Sequence, residues 1–294
     1  MFESWCNKME TQKDLEIFKG NTFVIKYGGS IMKNKFSQKA FFEDILALRL
    51  AGVNIVIVHG GGPEISKWLK KVGIVSNFIN GLRVTDKEIM EIVEMVLSGK
   101  INKDISSCLN TTGIKAIGIS GSDDNLITVK KKYLNINDQL VDIGFVGEVQ
   151  SINKDLIINL LNMHCVPVIS PIGCDTEGSK YNINADYVAS YISSALRAEK
   201  LIILTDVQGI YKDINDKSTI INYIVANEIK NYINLGIISD GMIPKIECCI
   251  DALEKGTEKV YLIDGRKEHS LVNNIFSNCG TTISLKGEMK NDKK

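Results

Sequence analysis

The chain has 294 residues, 44% of them hydrophobic, and its 35 lysines and arginines balance 35 aspartates and glutamates. That length suits one large α/β domain or two lobes with a substantial core. The zero net charge excludes a global basic field for nucleic acid or membrane, so any anion site must be local.

No apolar run approaches the roughly 18 residues needed to cross a bilayer, and the charged start MFESWCNKMETQKDLEIFKG lacks the apolar stretch of a secretory signal. Seven cysteines without a Cys-x-x-Cys pair fit a reducing compartment, so a cytoplasmic protein is expected. Adjacent Cys248 and Cys249 read as packing residues on a helix. His59, His164 and His269 share no ligand spacing, which argues against structural zinc, and no metal ligand is assigned.

In chain order, TFVIKYGGS (residues 22–30) reads as a strand that carries Lys26 and stops at Gly28-Gly29. A helical pattern follows over about 37–51. VNIVIVHGGG is an apolar strand ending in glycines, and PEISKWLKKVG reads as a helix with Pro63 in its first turn. Thr85 and Glu88 have capping-box spacing and open a long predicted helix. IKAIGISG is strand-like, and residues 125–150 alternate as a β-hairpin insertion does. KDLIINLLNMH reads as helix, CVPVISPIG as strand, NADYVASYISSALRAE as helix and KLIILTDVQGIY as strand. Helices from about 226 and 240, the strand KVYLIDG, the helix EHSLVNNIFS and the short strand TTISL complete the chain.

This rhythm predicts a mostly parallel sheet covered by helices on both faces, with ligands beyond the carboxyl ends of the strands. The turn-rich GCDTEGSKYNINAD suggests a lobe boundary. The expected division is an N-terminal extension, 1–20, with helical spacing, a lobe over 21–175, a lobe over 176–286 and a frayed tail, 287–294.

Six stretches combine residue types that suit an anionic ligand. Lys26 at a strand end before two glycines is either an anion contact or an exposed residue before a turn. The three glycines of VIVHGGGPE let backbone N–H groups approach a ligand at a helix N-terminus. They match neither G-x-G-x-x-G nor a P-loop. Arg83 in NGLRVTDKE could grip a carboxylate in two-pronged fashion, or lie on the surface. In YNINADYVAS, Asn184 is a candidate N-cap; the helix dipole accounts for Asp186 but not for Asn182. In ILTDVQGIY and ISDGMIPKIECC, Asp206 and Gly209 follow a buried strand, and Lys245 stands early in a helix, where the dipole disfavours it.

Together VIKYGGS, VIVHGGGPEI, NGLRVTD, GFVGEV, VPVISPIG, YNINAD, ILTDVQGIY, DGMIPKI and YLIDGRKEHSL resemble the amino-acid kinase family, in its order, over roughly residues 20–285. GLRVT and N-x-N-A-D resemble its acetylglutamate branch. The resemblance implies an α/β three-layer αβα sandwich, ATP with magnesium, and phosphorylation of the γ-carboxylate of N-acetyl-L-glutamate in arginine biosynthesis. It implies catalytic roles for Lys26, Lys245 and Asp186, and substrate contacts at Gly61, Gly62, Arg83 and Asn182. Nucleotide contacts are implied at Gly28, Gly29, Asp206, Val207, Gln208, Gly209, Ile210, Tyr211, Ile237, Ile238 and Ser239.

The family has a dimeric form and a hexameric, arginine-inhibited form with an extra N-terminal helix. The 25 residues before Lys26 resemble the second, so a homo-oligomer is expected, a hexamer built as a trimer of dimers rather than a dimer. His269 resembles part of an arginine site. Asn274, however, stands where family members usually carry an acidic residue, which removes a partner for a guanidinium. Arginine inhibition therefore stays open. A carrier-linked aminoadipate derivative as substrate would need a wider, basic entrance. A silent sensor predicts loss of a charge-stabilising residue, yet Lys26, Asp186 and Lys245 are all present. A dehydrogenase lacks its fingerprint.

Overall fold

A computed structural model describes residues 13–29, 31–238, 241–277 and 280–287. The expectations for residues before 13, for Ser239 and for the tail from 288 lie outside the described residues.

Strands β1 (Thr22–Tyr27) and β2 (Asn54–His59) flank helix α1 (Lys35–Leu50), and α2 (Gly62–Lys71) leads into a short hairpin of β3 (Phe78–Ile79) and β4 (Leu82–Arg83). A continuous helical run follows: α3 (Lys87–Glu94), a π-helical stretch (Met95–Ile101) and α4 (Asn102–Thr111). Next come β5 (Ala116–Ser120), the predicted hairpin β6 (Ile127–Ile136) and β7 (Gln139–Ile152), α5 (Lys154–Asn162), β8 (Val166–Ser170), β9 (Ile172–Cys174) and β10 (Lys180–Asn182). The chain continues through α6 (Ala185–Leu196), β11 (Lys200–Thr205), β12 (Ile210–Tyr211), β13 (Ile220–Ile221), β14 (Tyr223–Val225) and α7 (Ile229–Asn234). It closes with α8 (Ile243–Glu254), β15 (Lys259–Asp264), α9 (Ser270–Ser277) and β16 (Thr281–Ser284).

Eight strands form one sheet in the order β14-β16-β15-β11-β1-β2-β8-β5. Its neighbours run parallel except β15 and β16. β1 lies at the centre between β2 and β11, with Lys26 level with Val58 and Ile203. Alternation along each strand builds two cores. Phe23, Ile25 and Tyr27 of β1 and Ile55 and Ile57 of β2 pack with α1 to α4 and α9. Val24, Val56 and Val58 point the other way and pack with α5 to α8. The result is a three-layer αβα sandwich. Lys26 shares the face of Val24, towards α6 and α8. Cys248 and Cys249 of α8 are buried, as packing residues are.

The sheet runs without a break across both expected lobes, because β1 from the first lies beside β11 from the second. The turn-rich segment 173–186 is built around the antiparallel pair β9 and β10, with Tyr181 opposite Gly173, and β6, β7, β9 and β10 close on themselves.

One expected cap is corrected. The N-cap of α3 is Asp86, whose side chain accepts from Ile89 N at 2.8 Å. Thr85 is fully buried instead, and its hydroxyl donates to Arg83 O at 2.8 Å. Burial on the strand side thus withdraws Thr85 from capping, and the carboxylate one residue on satisfies the helix's free N–H. Asp86→Ala is therefore expected to lower unfolding free energy by about 1 kcal/mol in a urea titration, and Glu88→Ala to stay within about 0.5 kcal/mol of the parent.

Candidate active site

β1 ends at the site because the parallel sheet opens there towards the first turns of α6 and α8. Asn184 caps α6 by accepting from Asp186 N at 2.8 Å, which fixes Asp186 in the first turn facing Lys26. Asp186 is 3% exposed. Its Oδ1 faces Lys26 Nζ at 2.9 Å, and its Oδ2 accepts from Lys245 Nζ at 2.5 Å. Burial alone would raise the Asp186 carboxyl, but the Lys26 and Lys245 charges outweigh it and hold it at about 2. Burial likewise works against the Lys245 ammonium, yet Asp186 beside it leaves that pKa raised. Three elements distant in sequence thus deliver two cations to one carboxylate.

The glycine run after β2 forms a second wall. Gly60 N donates to Tyr27 O at 2.9 Å, tying the loop to β1. His59 is fully buried, and burial pushes its pKa down to about 4, so the ring is neutral. The hydrogen-bond pattern assigns Nδ1–H as donor to Gly60 O at 3.0 Å and Nε2 as acceptor from Asn102 Nδ2 at 3.2 Å. A Cβ on Gly61 would meet Ile101 and Leu97 methyls at 2.5 Å, so only glycine lets the π-helical stretch pack against this loop. Gly62 faces open space and starts α2, whose first N–H groups have no intrahelical acceptor. Gly29 lies against Pro63, where a Cβ would come within 3.0 Å of the ring, so the two glycine loops adjoin.

Arg83 does not lead directly into a helix; it occupies β4, opposite Phe78 in the hairpin, and its guanidinium carbon lies 4.6 Å from the Phe78 ring centroid. It is 5% exposed, and burial lowers its pKa. Its Nη2 donates to Gly62 O at 3.1 Å and Ser66 Oγ at 2.9 Å, and its Nη1 donates to Ser76 Oγ. Among the described residues no carboxylate pairs with it. Asn182 Nδ2 reaches Thr85 Oγ1 at 3.5 Å.

Lys26, Gly29, Gly61, Gly62, Arg83, Asn182, Asp186 and Lys245 all line one cavity of about 290 Å³. Gly28, between the end of β1 and Gly29, is not among the lining residues. Three cations and one carboxylate among its lining side chains leave a formal excess of two positive charges. A second cavity, of about 520 Å³, is lined by Gly209, Ile210, Tyr211 and Ile237 together with Gly236 and Met242. Asp206, Val207 and Gln208 form the turn leading to it from β11 but do not line it. Ile238 does not line it either: at 2% exposure it belongs to the core with α8. His269 is elsewhere. Its Nδ1 meets Asp44 Oδ1 at 2.7 Å, and its Nε2 lies 3.6 Å from Glu43 Oε2, linking the start of α9 to α1. Sequence reasoning passed over His59, Asn102, Ser66 and Ser76. A histidine at the end of a buried strand before a glycine run was the available signal for the first, whereas helix periodicity gave none for the others.

Residues 21–264 match the amino acid kinase family. The acetylglutamate kinase of Clostridium acetobutylicum is 56% identical over 273 residues, 93% of this chain and 92% of that protein. The acetylglutamate kinase of Desulforamulus reducens is 49% identical over 263 residues, 90% of each. Among solved structures, the carbamate kinase from Giardia lamblia bound to AMP-PNP is similar in fold, with a TM-score of 0.68 at 18% identity over 91% of this chain and 99% of that one.

Asp186→Asn leaves two ammonium groups without their counter-charge, and thermal or denaturant unfolding is expected to show a loss of roughly 2–4 kcal/mol at neutral pH. The folded Asp186 pKa of about 2 lies below the ordinary carboxylate value, so its contribution is complete above about pH 4 and lost as pH falls towards 2. The difference in stability between parent and Asp186→Asn should therefore shrink across that acid window and be constant above it.

Proposed function

The chain belongs to the amino acid kinase family, and we infer that it transfers the γ-phosphoryl group of ATP to the γ-carboxylate of N-acetyl-L-glutamate, giving the acyl phosphate used in arginine biosynthesis. The observation that carries this reading beyond the relatives' names is the cavity's uncompensated positive charge, set between two glycine loops. Two anions must meet for such a transfer, and their repulsion is the main barrier that a protein can lower.

In this reading an oxygen of the substrate carboxylate attacks the γ-phosphorus, the bond to the β-phosphate oxygen breaks, and ADP leaves with the electron pair. The attacking group is already ionised near neutral pH, so no general base is needed. Lys26 and Lys245 neutralise charge on the transferring group, one delivered by the first lobe and one by the second. Asp186 holds both lysines in place and offsets their mutual repulsion before substrate arrives. Gly28 and Gly29 give the phosphates access to the backbone. Gly61 and Gly62 contact the acetylglutamate at the N-terminus of α2, Arg83 its α-carboxylate, and Asn182 the neighbouring polar group.

The base and ribose occupy the cavity beside Gly209, Ile210, Tyr211 and Ile237, with the Asp206–Gln208 turn at its edge. Magnesium comes as part of the nucleotide substrate, held largely on phosphate oxygens and water. The first lobe is thus proposed to take the acetylglutamate, with Asn182 reaching in from the second, and the second lobe the ATP, with Gly28 and Gly29 of the first at its phosphates.

We further propose a cytoplasmic homo-oligomer, a hexamer built as a trimer of dimers, associating through the N-terminal extension. What suggests it is the length of chain before Lys26, as in the family's hexameric form. A dimer by light scattering removes the hexamer. No helix among the described residues is long and apolar enough to cross a membrane.

An ADP-release assay with MgATP tests the activity. Turnover is expected with N-acetyl-L-glutamate and not with glutamate, aspartate or N-acetylaminoadipate, and Lys26→Ala or Lys245→Ala should lower kcat at least about 100-fold. No turnover on any of these by a folded protein that binds ATP would overturn the reading. The same assay up to millimolar arginine examines the expectation at His269, and a rate that stays constant removes it.

A further inference from the structure

The Arg83 guanidinium is nearly sequestered from water, carries no carboxylate partner among the described residues, and is nonetheless held at three points by neutral oxygens. We propose that Ser66, seconded by Ser76, is a positioning residue that fixes Arg83 for the substrate's α-carboxylate and sets the affinity for that substrate. This rests on the reading of Arg83 as the carboxylate clamp.

The geometry favours positioning over incidental contact. Gly62 and Ser66 are four residues apart on α2 and so share one face of the helix. Both meet the same nitrogen, Nη2, at 3.1 and 2.9 Å. Ser76 meets Nη1, so acceptors engage both terminal nitrogens, while the Phe78 ring lies near the guanidinium carbon. Three of the five N–H donors are engaged by the protein, and two remain for a ligand. A guanidinium held this way has lost its torsional freedom before the substrate arrives, so ordering it does not weaken binding.

The chemistry of the acceptors matters as much as their place. A carboxylate at position 66 would hold the guanidinium more firmly but would also neutralise it and remove its attraction for an anion. A hydroxyl fixes the group and leaves its charge available.

Steady-state kinetics on the full chain test this. Ser66→Ala is expected to raise KM for N-acetyl-L-glutamate about five- to tenfold, with kcat within about twofold and KM for ATP unchanged. Ser66→Thr should restore the parent value by keeping the hydroxyl. Ser66→Asp should raise KM further than alanine does, because it quenches the charge. In an Arg83→Ala background the Ser66→Ala change should add nothing, since its effect runs through Arg83.

A persisting effect in that background, or an unchanged KM in folded Ser66→Ala, overturns the proposal. If Arg83→Ala itself leaves KM unchanged, the clamp reading fails instead, and the two failures are distinct. Ser76→Ala, with the same split between KM and kcat and a smaller rise, keeps the test available should Ser66→Ala not fold.

Discussion

The site depends on one buried carboxylate between two ammonium groups. Two lysines cannot be placed together in a low-dielectric pocket without a counter-charge, and a lone Asp186 could not remain ionised there either. Each group therefore makes the others' burial tolerable. Lys26 comes from the central strand, Asp186 from the first turn of α6 and Lys245 from the first turn of α8. The triad consequently locks sheet to helices at the point where the parallel strands open. The register of β1 between β2 and β11 is what places Lys26 there, because a shift of one residue would turn its side chain into the opposite core.

Around this point the protein keeps other carboxylates out: Asp186 is the one acidic side chain among the cavity's described lining residues. His59 is buried as a neutral ring and uses its two nitrogens to tie Gly60 O to Asn102. Arg83 is held by hydroxyls and a carbonyl. The glycine loops contribute N–H dipoles and no side chains. A carboxylate added to this shell would consume the attraction that an anionic substrate needs, so neutral polar groups do the holding and cations are left to do the binding.

The sequence made the strands, the glycine loops and the alternation of strand and helix along the chain easy to read, because burial on both faces writes long apolar runs ending in turns. Lys26 and Lys245 stood out because each interrupts a local pattern, whereas Asp186 suits the first turn of its helix and was marked by the family resemblance. Contacts made across the fold were harder to see. The β3–β4 hairpin is two residues per strand, too short for any period, so a surface position for Arg83 stayed open in the sequence. Thr85 and Glu88 imitated a capping box, and only tertiary burial moved the cap to Asp86. Ile238 has the same residue type as its pocket-lining neighbour Ile237, and only packing separates the wall from the core. Ser66 and Ser76 look like ordinary helix and loop residues until the guanidinium is placed between them.

The neutral balance of the whole chain gives the local excess its meaning. Exposed charges on this surface are paired or screened within about 8 Å at physiological ionic strength, so they offer an incoming anion little direction. The cavity's three cations share one carboxylate, and Lys26 and Arg83 are nearly withdrawn from solvent, where screening is weakest. An anion entering the cavity therefore meets a field that the chain's net charge does not reveal. The same burial that makes the cations costly to fold is what makes them effective once two negative groups must be held at bonding distance.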